Sequence, residues 1–263
     1  MESGDTFWRD LALLDWQVEL GADEAISETP INRYDLEPQQ PKTAVAAPSK
    51  VAPPAVSKTI EVDPVAEAKA AAAGAADLSS LAAAMQVYEH CEIKKGARKF
   101  VFSDGMPGAR VMIIGEAPGR DEDQIGRPFV GQAGQLLDKM LAAIQMDRTS
   151  KDPASAVYIA NVLPWRPPAN RTPEPAEIGM MLPFLERHIA LAAPDVLVLM
   201  GNTPCQALLG RAGITRIRGQ WTEVLGRPTL PMFHPAYLLR QTLAKREAWA
   251  DLLDLKAKLK VNS

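Results

Sequence analysis

The segment RVMIIGEAPGRDEDQIGRPFVGQAGQLLDKML, residues 110–141, joins an apolar run to a loop rich in Gly and Pro and then to an amphipathic stretch. The apolar run ends at Gly115 and predicts a buried strand that leads into the loop. Gly115, Pro118 and Gly119 predict a tight turn, which brings backbone close to a ligand. Apolar residues at 136, 137, 140, 141 and 144 predict a helix. Such a strand, loop and helix form the unit from which parallel sheets are built.

The same alternation of strands and helices continues on both sides of this segment. Further strands are predicted in VYIANVLPW, DVLVLMG and WTEVLGRPTLPMF, and helices in the stretches 77–90, 174–193, 203–212 and 245–260. Pro183 is expected to kink or split the second of these helices. The pattern predicts the α/β class, a three-layer α/β/α fold with a central, mainly parallel sheet. Ligand-binding residues are then expected in the loops that follow strands, on one rim of the sheet.

Composition divides the chain into three regions. Residues 1–35 are acidic, and Phe7, Leu11, Leu14, Trp16 and Leu20 follow helical spacing, which predicts a short amphipathic helix over 6–25. We interpret that helix as a docking element for a protein partner, or alternatively as a helix packed on the chain's own surface. Residues 36–76 are rich in Pro and Ala and predict a disordered linker, in which the alanine run near 66–76 is expected to be transiently helical at most. Residues 77–263 predict the globular domain.

Charge and cysteine content restrict the class of protein. The formal net charge is −3, but residues 1–36 carry −7 and residues 86–263 carry +5. A mildly basic domain suits a polyanion such as DNA, although an ordinary surface explains the charge equally well. No apolar run reaches the roughly 18 residues of a membrane span, and the N-terminus has no basic secretory region. Cys91 and Cys205 make no disulfide framework, so a reducing cytoplasm is the expected compartment.

Polar residues capable of binding a ligand or of catalysis lie directly after predicted strands. Glu116 ends the first strand, and three more acids, Asp121, Glu122 and Asp123, are expected on a solvated face. The glycine-rich stretch 131–134 leads into a helix, so its amides are candidates for binding a DNA phosphate.

Two other strands end in residues that suit either structure or binding. Asn161 follows an apolar run, and a buried amide there must be satisfied by a structural cap or by a ligand. His234 lies in a loop with Pro235 and Arg240, where a purely structural role is less expected than for a histidine within a helix.

Five ordered motifs together resemble the uracil-DNA glycosylase superfamily. They are GEAPG with the acids that follow it, GRPFVGQAG, the strand-ending AN, RPP with a following NR, and HPAYLLR with KR and W further on. The resemblance covers about 86–258 and is strongest to the bacterial and archaeal iron–sulfur class called family four. It implies a monomeric, monofunctional hydrolase that flips uracil out of DNA, cleaves its N-glycosidic bond and starts base excision repair. Such an enzyme is expected in the bacterial cytoplasm, at the nucleoid.

The resemblance also assigns roles to residues. Phe129 would stack on the flipped base, and Asn161 would bind uracil O4 and N3–H. His234 would donate to uracil O2 as charge builds on the departing base. Glu116, counted among the uracil-binding residues, would orient or activate the attacking water. Arg240 and the leucines beside it would enter the space that the base leaves. The expected DNA contacts are Gly131, Gln132, Gly134, Arg171, Arg240, Lys245 and Arg246.

The cluster ligands of that class are not retained. The four cysteine positions fall on Tyr88, Cys91, Trp165 and Met181, and Cys205 lies at a place that the class does not use. One thiolate cannot hold a [4Fe–4S] cluster. We therefore predict no cluster and no other metal, with Tyr88, Trp165 and Met181 packed together as an apolar plug.

Three alternatives to an active glycosylase were compared with the sequence. A catalytically weak or inactive member would bind uracil-containing or single-stranded DNA, yet it would need neither Glu116 nor His234. An unrelated nucleotide-binding protein would carry a GxxxxGK[ST] or GxGxxG motif, and the sequence contains neither. A covalent uracil-trapping variant would need an extra basic loop near 131–140, which is missing.

Overall fold

The structure is a computed structural model that describes residues 63–261. The helix predicted over 6–25 and the linker up to residue 62 lie outside the described residues. Within the described residues, no helix is both long and apolar enough to cross a bilayer.

Strands and helices alternate along residues 63–261. The strands are β1 (Ser103–Gly105), β2 (Val111–Gly115), β3 (Val157–Asn161), β4 (Val196–Met200), β5 (Thr222–Val224) and β6 (Arg227–Met232). The helices are α1 (Pro64–Gly74), α2 (Leu78–Val87), α3 (Arg120–Ile125), α4 (Gln132–Ala143), α5 (Pro175–Ala192), α6 (Asn202–Leu209), α7 (Ile214–Ile217), α8 (Pro235–Arg240) and α9 (Lys245–Val261). Short 3₁₀ turns occupy Glu92–Gly96, Pro168–Asn170 and Thr242–Ala244.

The six strands form one mixed sheet in the order β1-β3-β2-β4-β6-β5. The four central strands β3, β2, β4 and β6 are parallel, and the short edge strands β1 and β5 pair antiparallel to their neighbours. Every residue of β2, β3 and β4 is buried, as expected for parallel strands covered on both faces. The predicted α/β class with a mainly parallel sheet is confirmed.

The carboxyl ends of the parallel strands meet at one rim of the sheet. Gly115, the last residue of β2, lies opposite Asn161, the last residue of β3. Next along the rim, β4 ends at Met200 and β6 ends at Met232, two residues before His234. The segments expected to bind ligand therefore converge, because parallel strands place their following loops on the same side.

The predicted linker is wrong for residues 64–74, which form the packed helix α1. Asp63 caps it by accepting the Val65 N–H at 2.9 Å, and Pro64 occupies its first turn. Ala68 and Ala72 are buried where α1 packs on α5. A composition rich in alanine predicted disorder because it has little apolar surface of its own. Small side chains allow two helices to pack closely, so the stability of α1 comes from its contact with a partner helix.

Two further observations concern helix α5. Helix α5 continues through Pro183 without splitting. His188 in the same helix is fully enclosed and hydrogen-bonds the Tyr158 hydroxyl at 2.9 Å, and burial lowers its pKa to about 4. The imidazole is therefore a neutral core group.

Substituting Ala68 tests whether α1 is an integral part of the domain. Because Ala68 is completely buried against α5, Ala68→Leu should overpack the contact and lower the free energy of unfolding by about 1–3 kcal/mol. Ala70→Leu is the matched control at an exposed position of the same helix, with an expected change within about 0.5 kcal/mol. Urea titration measures both, and equal stability of the two variants would contradict the packing of α1.

Candidate active site

A small cavity opens at the rim where β2, β3 and β6 end. Its volume is about 170 Å³. Three of the residues selected from the sequence, Phe129, Asn161 and His234, line it together with Glu122 and with glycine and alanine residues. The predicted base-binding residues are thus brought together by the strand order.

Phe129 forms one wall of the cavity in an uncommon backbone conformation. Its φ of 53° lies in the left-handed region, which bulky residues rarely adopt. Its ring centroid lies 5.4 Å from that of His234, with the rings tilted by 30°. Gly134 packs against the Phe129 carbonyl, where a Cβ atom would lie 1.7 Å from the oxygen. The role of Gly134 is therefore close packing behind Phe129.

The loop that carries Phe129 is held by the carboxylate of Glu122, a role that sequence analysis missed. Glu122 Oε1 accepts the N–H groups of Val130 and Gly131, each at 2.9 Å, and Oε2 accepts that of Gly119 at 3.1 Å. The expected solvated face is wrong for Glu122, which is buried because its oxygens satisfy three loop amides. The predicted phosphate contact of Gly131 is also wrong, since its N–H already has this partner. The signal was the acid three residues after Gly119, the spacing of a capping box.

Asp123, the next residue, is bonded to a different segment of the chain. It is buried, and its Oδ1 accepts the N–H groups of Arg98 at 2.8 Å and Lys99 at 3.2 Å. Asp121 alone of the three acids is exposed as expected.

Asn161 presents a buried oxygen that lacks a protein partner. Its Oδ1 is enclosed and accepts no hydrogen bond within the described residues. A buried acceptor without a donor costs about 1–3 kcal/mol. Gly115 provides the space beside it, because a Cβ there would lie 2.5 Å from Asn161 Oδ1 and 2.6 Å from the Phe129 ring. Of the two interpretations of Asn161, this geometry favours a ligand N–H donor over a structural cap.

His234 faces the cavity as a hydrogen-bond donor. It caps helix α8, and its Nδ1 accepts the Ala236 N–H at 3.1 Å. Burial, and then the charge of Arg240, lower its pKa to about 4, so the ring is neutral at pH 7. A neutral ring that accepts at Nδ1 carries its proton on Nε2. Gly201, with φ of 97°, packs against His234 Cβ and leaves room for it.

Glu116 lies in an adjoining cleft of about 490 Å³. This cleft shares Ala117, His234 and Ala236 with the small cavity and extends to Tyr237 and Arg240. The Thr203 hydroxyl donates to Glu116 Oε2. The carboxylate therefore stands beside the ring-sized cavity, and it is not among the residues that line that cavity.

The candidate DNA contacts fall into two groups. Gln132, Arg240, Lys245 and Arg246 are exposed. Arg171 instead pairs through both terminal nitrogens with the carboxylate of Glu177, which also caps α5. That pair fastens the loop before α5, so the structure supports a positioning role for Arg171.

The leucines near Arg240 differ in exposure. Leu238 is buried in the core and cannot enter DNA, whereas Leu239 is 42% exposed and Leu243, in the following turn, is 93% exposed. Of the two leucines beside Arg240, only Leu239 is exposed enough for the expected wedge, and Leu243 is a further exposed leucine that sequence analysis did not select.

The four former cluster positions are all buried. Tyr88 packs edge-on against Phe184, with ring centroids 5.3 Å apart, and its hydroxyl donates to the Pro64 carbonyl at 2.8 Å. Trp165 contacts Phe100. These residues, Cys91 and Met181 belong to one hydrophobic core.

Their chemistry does not fit an iron–sulfur cluster. Phenol, indole and thioether groups replace three thiolates, and burial raises the pKa of Tyr88 to about 12 and raises that of the Cys91 thiol. Among residues 63–261, no three His, Cys, Asp or Glu side chains are grouped as metal ligands. Since four thiolates hold such a cluster, the residues present cannot bind it.

Comparison with known proteins agrees with this geometry. The model of the Uracil DNA glycosylase superfamily matches residues 102–253. A type-4 uracil-DNA glycosylase of Thermotoga maritima is 39% identical over 57% of this chain and 77% of its own length. Those of Archaeoglobus fulgidus and Pyrobaculum aerophilum are 36% and 33% identical, over 61% and 67% of this chain and 82% and 91% of their own lengths.

Removal of the Glu122 carboxylate tests its role in the Phe129 loop. Glu122→Ala leaves three loop amides without their acceptor and should lower the free energy of unfolding by about 2–5 kcal/mol. Asp121→Ala, in the same helical turn but exposed, should change it by less than about 0.5 kcal/mol. Chemical denaturation gives both values, and similar losses in the two variants would show that the three hydrogen bonds contribute nothing.

Proposed function

This chain belongs to the uracil-DNA glycosylase superfamily, and from that premise we propose that it excises uracil from DNA by hydrolysing the N-glycosidic bond. The observation that carries the proposal is the unpartnered Oδ1 of Asn161 in a cavity that adjoins a larger cleft. A buried acceptor at that position is satisfied by a ligand that donates an N–H group. Uracil has one at N3.

Asn161 accounts for the choice of base. Its Oδ1 accepts N3–H of uracil, and its side-chain amino group donates to O4. Cytosine presents an acceptor at N3 and a donor at its exocyclic amine, so the same amide opposes it at both positions. Sites with buried polar groups discriminate strongly, because the wrong ligand leaves those groups unpaired.

Phe129 and the cavity walls hold the flipped base. Flipping costs a few kcal/mol, and stacking on an aromatic ring returns about 1–3 kcal/mol per base. The hydrogen bonds to Glu122 already fix the loop that carries Phe129, so the protein loses little conformational entropy when the base binds.

His234 stabilises the leaving base. When the bond from C1′ to N1 breaks, its electron pair moves onto the base and negative charge develops on O2. The neutral His234 ring donates from Nε2 to that oxygen, since Nδ1 is held by the Ala236 N–H. A preorganised donor of this kind contributes about 10²–10³ in rate.

Glu116 orients the attacking water. The sugar becomes cationic as the base departs, and a carboxylate beside it both stabilises this charge and accepts a proton from the water that adds to C1′. The location of Glu116 in the larger cleft, next to His234, suits a group that meets the sugar rather than the base.

The DNA strand is bound by exposed residues around the cleft. Arg240, Lys245 and Arg246 are proposed to contact phosphates, and Gln132 lies at the start of helix α4 where a phosphate can approach. Leu239 and Leu243 are proposed to fill the gap in the duplex. With chromosomal DNA as substrate, we expect a monomer that acts in the bacterial cytoplasm, at the nucleoid.

We also propose that the enzyme works without an iron–sulfur cluster. The support is the side chains at the former ligand positions, of which Cys91 alone supplies sulfur as a thiol. Packing around Tyr88, Trp165 and Met181 then shapes the region that the cluster occupies in the iron–sulfur class.

An excision assay tests the function directly. The protein is incubated with uracil-bearing single- and double-stranded oligonucleotides, and alkali then cleaves the abasic sites. Asn161→Ala and His234→Ala should each lower the excision rate by about 100-fold or more, because each removes a hydrogen bond to the base. His90→Ala is the control, since His90 pairs with Glu67 on the surface. Binding without cleavage by the wild type would favour an inactive family member, and unchanged rates in both variants would disprove the pocket assignment.

Metal analysis tests the absence of a cluster. An anaerobic preparation should be colourless and contain far less than one iron per chain. A brown protein with about four irons would contradict the proposal. Iron–sulfur reconstitution followed by desalting is the control for loss during purification, and it should leave both iron content and excision rate unchanged.

A further inference from the structure

The side chain of Thr203 meets the proposed catalytic carboxylate from a different strand end. Glu116 follows β2, whereas Thr203 lies in the first turn of α6, directly after β4. Its hydroxyl donates to Glu116 Oε2, and among residues 63–261 it supplies the only side-chain hydrogen bond to Glu116. We propose that Thr203 is a positioning residue that holds Glu116 toward the attacking water. This inference rests on the proposed function.

Thr203 is itself held firmly. It is buried, and as a β-branched residue in a helix it has few available χ1 rotamers. Asn202, the residue before it, accepts the N–H groups of Gly213 at 3.0 Å and Ile214 at 2.8 Å through its side-chain oxygen. These contacts tie the start of α6 to the next loop. The hydroxyl therefore has a fixed direction.

A fixed donor matters because Glu116 is otherwise free to rotate. The carboxylate borders an open cleft, and a glutamate side chain loses substantial rotamer freedom when it is ordered. One oxygen bonded to Thr203 leaves the other oxygen directed at the position of the water. The conformational entropy of the Glu116 side chain is thus already lost on folding, before substrate binds, which is the usual basis of preorganisation.

A purely structural role would have different consequences. The hydrogen bond of a buried threonine hydroxyl often only compensates for the loss of water around that hydroxyl. Thr229 makes such a bond by donating to the Arg227 carbonyl at 3.0 Å. Loss of such a bond affects stability without affecting the chemical step. Thr229 is as deeply buried as Thr203 but lies within β6, so it provides a matched control.

The test compares kcat and KM for uracil excision in four proteins: wild type, Thr203→Val, Thr203→Ser and Thr229→Val. Valine keeps the shape of threonine and removes the hydroxyl, so Thr203→Val should lower kcat about 10- to 100-fold with KM within about twofold. Thr203→Ser retains the donor and should stay within about threefold of wild type, as should Thr229→Val. Thermal unfolding of each variant accompanies the kinetics, and Thr203→Ala replaces the valine variant if that variant does not fold.

The outcomes separate this inference from the proposed function. A wild-type protein that excises no uracil overturns both. Excision by the wild type with an unchanged kcat in Thr203→Val overturns the positioning role alone. Equal losses in Thr203→Ser and Thr203→Val, or a comparable loss in Thr229→Val, would assign the effect to packing and likewise overturn it.

Discussion

One buried carboxylate organises the mouth of the site. The Glu122 carboxylate accepts hydrogen bonds from the N–H groups of Gly119, Val130 and Gly131, and these bonds close the chain between residues 119 and 131 into a loop. That closed loop keeps Phe129 in a left-handed backbone conformation that costs free energy on its own. Because three charge-assisted hydrogen bonds over-determine the loop, the strained residue stays in place. The wall of the cavity therefore depends on a carboxylate whose oxygens are bonded to loop amides.

The cavity is polarised before any substrate arrives. Asn161 offers an acceptor without a partner, and His234 offers a donor whose direction is set by the bond from Ala236 to Nδ1. Burial keeps the imidazole neutral at physiological pH, so in the proposed reaction it would stabilise developing negative charge as a dipole and not as a cation. Fixed dipoles in a site of low water content are the most effective means of stabilising a transition state.

Side-chain packing fills the region around the four positions that the resemblance assigns to cluster ligands. Tyr88 ties helix α1 to the domain through its bond to the Pro64 carbonyl, and Lys94 lies between the Tyr88 carbonyl and the ring of Trp165. Arg171 and Glu177 fasten the loop that precedes α5. Aromatic packing and an ion pair thus link the segments that four thiolates would otherwise join. The alanine-rich helix α1 is part of the same arrangement.

The sequence by itself determined the α/β class and the positions of Glu116, Phe129, Asn161 and His234, because hydrophobic periodicity and motif order are local properties. Gly131 was misassigned because the partner of an amide cannot be read from a local pattern. Only the tertiary structure decided that Glu122 is buried, that the Asn161 oxygen is unpartnered and that Thr203 reaches Glu116. The Glu122 bonds close a loop within the chain, and their partners depend on how that loop folds. The surroundings of Asn161 and the contact of Thr203 with Glu116 instead depend on strand ends far apart in the chain, which the order of the parallel sheet brings together.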